Sequence, residues 1–70
     1  MRAITAKKLM IILREHGFLL SRQRGGHMIW KHAASGTIVP VPLHGKSRPI
    51  PEGTLQAIIK QSKIPREYFR

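Results

Sequence analysis

The chain has 70 residues, with 13 Lys and Arg against three acids, a formal charge of +10 and no cysteine. That length predicts one small domain, residues 1–70, with a thin core. The missing thiols exclude disulfides and thiolate metal centres, and no apolar run approaches the ~20 residues needed to cross a bilayer.

Residues 1–20 lack the pattern of a secretory signal, so the chain is expected in the cytoplasm, with no membrane partner. Its positive excess attracts polyanions over about a Debye length. RNA, DNA, an anionic surface and an acidic protein all qualify as partners on charge alone. The cations are spread along the chain and not gathered in a tail, so they decorate a folded surface.

In "TAKKLMIILREHG", Leu9, Ile12, Leu13 and His16 recur at helical spacing, with Lys7, Lys8, Arg14 and Glu15 facing outward. Thr5 suits the N-cap and Gly17 the left-handed residue past the end, which predicts a helix over 5–16. "FLLSRQR" and "HMIWKH" then read as two strands joined by the turn "GG". "AASG" is a second turn and "TIVPV" a third strand, whose Pro40 places it at a sheet edge. "PLHGKSRPIPEG" is too rich in Pro and Gly to be regular. A second helix follows to Ser62, with Pro51 in its first turn, Glu52 at its positive dipole end, Gly53 and Thr54 opening it, and Leu55, Ile58 and Ile59 as its buried stripe. "IPREYFR" supplies one more short turn, with Tyr68 and Phe69 available to pack. The order α-β-β-β-α predicts a two-layer α+β sandwich with both helices on one sheet face, leaving the other face open and basic.

His27, directly after Gly25 and Gly26, has two readings: a polar hairpin residue, or a base placed where two missing side chains let a sugar-phosphate backbone approach. Histidine's ordinary pKa of about 6.5 suits proton transfer near neutrality. His16 reads as a packed or capping residue. His27 and His32 lie five apart on a strand and face opposite ways, which argues against a shared zinc ion. His44 reads as a binding or loop-shaping residue. Trp30 reads as core, with a base-stacking platform as the alternative, and Lys46 and Arg48 read as phosphate grips or as solvated charge. Three acids are too few for a carboxylate metal cage, so any nuclease chemistry here should be metal-independent.

Taken together, these stretches resemble the HicA, or YcfA-like, toxins, small mRNA interferases of toxin–antitoxin pairs. The likeness runs through "GFLLSRQRGGH", Gly17 to His27, with Gly26 where the family carries Ser. It continues through "MIWKH", "TIVPVP", "HGKSRPIPEGTL" with one spacing difference before Ile50, and the final "IIKQSKIPREYF". Singly these motifs are weak; in this order they are specific. The resemblance implies a double-stranded-RNA-binding-domain-like fold, with a three-stranded antiparallel sheet and two helices on one face. It implies endoribonuclease activity against single-stranded mRNA that inhibits translation, with His27 as catalytic base and no cofactor. Arg22, Arg24, Gly25, Gly26, Lys31, His44, Lys46 and Arg48 are then the expected RNA contacts. The expected partner is an acidic HicB-type antitoxin, which would join a chain otherwise monomeric. Two other readings use the same surface: a non-catalytic RNA-binding module, and a pure interaction protein that docks an acidic partner.

Overall fold

A computed structural model describes residues 4–42 and 48–69. Helix α1 spans Ala6–Glu15 and buries Ala6, Leu9, Ile12 and Leu13, the stripe that the spacing predicts. Thr5 Oγ1 accepts from the Lys8 backbone N–H at 3.2 Å, satisfying one of the unpaired donors of the first turn. At the other end His16 is the C-cap, and its ring Nδ1 donates to the Ile12 carbonyl at 2.8 Å, so its assignment as a capping residue holds. Gly17 then reverses the chain at φ +89°.

Strands β1 (Phe18–Arg24), β2 (His27–His32) and β3 (Ile38–Pro42) form an antiparallel sheet in that order, and β3 begins one residue later than the alternation suggests. The β1–β2 connection has two residues, with φ positive at Gly25 (+52°) and not at Gly26, the type II′ pattern. Pairing runs Phe18–His32, Leu19–Lys31 and Leu20–Trp30. It then skips Ser21 and resumes with Arg22–Ile29, Gln23–Met28 and Arg24–His27. That skip is a β-bulge, and it changes which face the later residues of β1 occupy.

β3 is an edge strand, as Pro40 requires. The Ile38 carbonyl points away from β2 and accepts from Gln61 Nε2 at 2.9 Å. By alternation Pro40 and Pro42 present the same free edge, where a missing N–H costs the ladder nothing. Helix α2 spans Glu52–Ser62. Pro51 is its N-cap, at φ −53° and ψ 142°, and not a first-turn residue as the sequence suggests; its extended ψ keeps it outside the helix. Lys63 ends α2 in the left-handed region at φ 64°, and a short 3₁₀ turn, Arg66–Tyr68, follows. Phe69 is buried there, whereas Tyr68 is half exposed with its ring edge-on to His16.

One sheet face carries Phe18, Met28, Trp30, Val39 and Val41 into a single core with the apolar stripes of α1 and α2. Helix α1 lies along β1 and α2 along β3, so both helices share that face and the predicted α+β architecture is the observed one. Trp30 is fully buried, so it is core and not a stacking platform. The Arg14 guanidinium lies 5.5 Å from its ring centroid, and its Nε1 finds no hydrogen-bond partner among the described residues. The ten residues of α1 rise roughly 15 Å, while the seven of β1 run roughly 23 Å, so the hairpin tip overhangs its helix. Gln23 stays exposed on the helix side for that reason. No helix among the described residues is long and apolar enough to cross a membrane.

Gly17 has two reasons to be glycine: its positive φ, and His32 Nε2, which would lie 3.0 Å from an added Cβ. Gly17→Ala is expected to cost about 1–3 kcal/mol, read as a Tm lowered by roughly 4–8 °C for each kcal/mol. The paired turn glycines should respond differently from each other. An added Cβ meets nothing within 4 Å at either, but only Gly25 has positive φ. Thermal melts should therefore show Gly25→Ala destabilised by about 1 kcal/mol and Gly26→Ser within about 0.5 kcal/mol of the parent.

Candidate nucleic-acid interface

The sheet face turned away from the helices is a grid of three cross-strand rows. Leu19, Lys31 and Ile38 form the first, Arg22, Ile29 and Pro40 the second, and Arg24, His27 and Pro42 the third. Directly opposed side chains in such a sheet start roughly 5 Å apart at Cβ. His27 therefore has the Arg24 guanidinium across from it, with Arg22 one row further along the same flank. Lys31 is four residues away on its own strand, two rows along the same face. All four side chains are exposed.

The bulge at Ser21 makes this grouping. Strict alternation from buried Phe18 would turn Arg22 and Arg24 toward the helices and Ser21 and Gln23 outward. One unpaired residue inverts the phase, and both arginines join His27. The three acids are elsewhere: Glu15 in α1, Glu52 in α2 and Glu67 in the 3₁₀ turn. An acid-free sheet face with three cations is suited to a polyanion. It is less uniformly basic than the sequence suggests, because Leu19 (64% exposed), Ile38 (49%) and half-buried Ile29 share it.

Gly25 and Gly26 directly precede His27 at the overhanging tip, with open space where either side chain would be. Arg48 is not on this sheet. It is exposed beside the start of α1, where Pro49 bridges to Thr5 and the Ile50 N–H donates to the Ile4 carbonyl at 2.7 Å. It lies three residues before Pro51, hence within about 11 Å of that residue. His44 and Lys46 fall within residues 43–47, outside the described residues.

His16 and His32, the other histidines among the described residues, have structural work. His32 lies on the helix side of β2, as its spacing from His27 predicts, with its ring edge-on to Phe18 at 5.0 Å. Its Nδ1 accepts the Ser35 N–H at 3.2 Å, tying the turn between β2 and β3. Among the described residues no three His, Asp or Glu side chains converge as a metal cage would require.

Sequence reasoning missed a cleft next to His27. It measures about 540 Å³ and runs between the β3 edge and α2, lined by His27, Pro40, Pro42, Pro51, Gly53, Thr54, Ala57, Ile58 and Gln61. Gly53 and Thr54 read from sequence only as residues that start a helix. The signal that could have found the cleft was an unneeded glycine in the first turn of α2.

No individual curated protein matches the chain. Residues 6–64, from the first residue of α1 to just past α2, match the family described as the HicA toxin of bacterial toxin–antitoxin systems. The match takes in both helices, the whole sheet and the His27 hairpin, and with it the chain belongs to the HicA toxin family.

Proposed function

We propose that this chain is the toxin of its pair by cutting mRNA, as a metal-independent endoribonuclease with His27 as general base. The observation that carries the reading is the third row of the sheet grid. There an exposed imidazole stands opposite an arginine on an acid-free cationic face, at the tip of a hairpin whose turn has no side chains. Arg22, Arg24 and Lys31 hold the phosphates of single-stranded RNA, with Arg48 and the His44–Lys46 segment as further contacts. His27 takes the proton from a ribose 2′-hydroxyl, and the oxygen attacks the adjacent phosphorus. The bond to the 5′ oxygen breaks, that oxygen takes a proton from water, and the products are a 2′,3′-cyclic phosphate and a 5′-hydroxyl. Arg24 offsets the charge that builds on the phosphorus oxygens. The scarcity of acids leaves no carboxylate cage for a catalytic metal, so the chemistry falls to side-chain proton transfer. An acidic HicB-type antitoxin would neutralise the chain by covering this same face.

Incubating the purified chain with a defined RNA in EDTA should give fragments with cyclic-phosphate ends, while DNA of the same sequence stays intact for want of a 2′-hydroxyl. His27→Ala should lower the cleavage rate at least a hundredfold with Tm unchanged, because the side chain is exposed. Unchanged cleavage in that variant would reject the imidazole as base. Binding without cleavage in the parent would instead make the chain an RNA-binding module. Arg22→Gln and Arg24→Gln should each reduce the slope of log affinity against log salt by about 0.7, the release expected for one phosphate contact on a single strand.

A further inference from the structure

The cleft between the β3 edge and α2 begins at the same imidazole as the cationic face. We infer that it is a nucleotide subsite, seating the base beside the phosphodiester that His27 addresses; this rests on the ribonuclease reading above.

Four observations carry the inference. The cleft is continuous with the sheet face through His27 and Pro42, so a strand held by Arg22 and Arg24 meets it without leaving the surface. Its volume of about 540 Å³ is in the range of sites that enclose small molecules, roughly 300–1,000 Å³. Its walls suit a flat, mostly apolar ring with polar edges. Pro40, Pro42, Pro51 and Ala57 offer apolar surface, and Thr54 offers a hydroxyl. Gln61 spends its Nε2 on the Ile38 carbonyl, which leaves its Oε1 to accept from a base amino group.

The fourth observation is Gly53. It is in the first turn of α2, its φ is not positive, and an added Cβ would meet nothing within 4 Å. Glycine destabilises a helix relative to alanine, and here neither backbone nor packing asks for it. What the missing side chain does achieve is an open cleft wall. A peptide strand is a poorer occupant than a base. The β3 edge has proline at alternate positions and its Ile38 carbonyl is already taken, so it offers little of the ladder that strand addition uses.

Gly53→Leu and Ala57→Trp each place a side chain in the cleft from an exposed position on α2. Both should melt no lower than the parent by more than a few degrees. On a mixed-sequence RNA both should raise KM at least tenfold and redistribute the mapped cut sites. Parent-like KM and cut sites in the two folded variants would overturn the subsite. A second measurement does not depend on cleavage. When a short mixed-sequence RNA is titrated into His27→Ala, the backbone amides of Gly53, Thr54 and Ala57 should shift together with those of Arg22, Arg24 and Lys31. Shifts confined to the sheet face would overturn the subsite in favour of another occupant for the cleft. A parent chain that cuts no RNA rejects the ribonuclease reading by itself, and these amide shifts still decide the cleft.

Discussion

The candidate site depends on one unpaired residue in β1. A strand has a strict two-residue period, so a side chain's face is decided by counting from the nearest buried neighbour. Counted from Phe18, both arginines of "SRQR" belong with the core. The bulge at Ser21 turns them outward instead and leaves Gln23 facing inward, on the stretch of hairpin that α1 does not reach. One local departure from regular pairing thus moves two charges to the outer face and brings them to the imidazole. The short helix and the long hairpin are matched to the same end.

Much of the fold was legible because each signal in the sequence had one local cause. The α1 stripe, the Thr5 cap and the reversal at Gly17 stand where spacing and residue type put them. Pro40 announced the sheet edge because a residue without an N–H fits few other strand positions. His16 and Trp30 read as structural on their positions in the periodic pattern, and their contacts agree; the five-residue spacing of His27 and His32 also puts them on opposite faces, as observed. Pro51 was misplaced by one residue, since proline is compatible both with the cap and with the first turn, and only ψ separates them.

The site was less legible than the fold. His27 stood out through its neighbours Gly25 and Gly26, but its grouping with Arg22 and Arg24 depends on the bulge, which no periodicity rule anticipates. The cleft depends on how α2 lies along β3, a tertiary relation that sequence spacing does not encode. Arg48 shows the opposite case: close in sequence to the loop cations, it is drawn to the start of α1 by the pairing of Thr5 with Pro49 and of Ile50 with Ile4.

The residues of the sheet's outer face contribute little to what keeps the chain folded. His27, Arg22, Arg24 and Lys31 are all exposed, and none belongs to the apolar cluster that joins the two layers. Substitutions there are therefore nearly neutral for stability even in a protein of 70 residues with little to spare. A lineage can then change or lose this surface chemistry by single steps while the scaffold persists. Disarmed copies would keep the parent's shape, and selection on the surface would run independently of selection on the core.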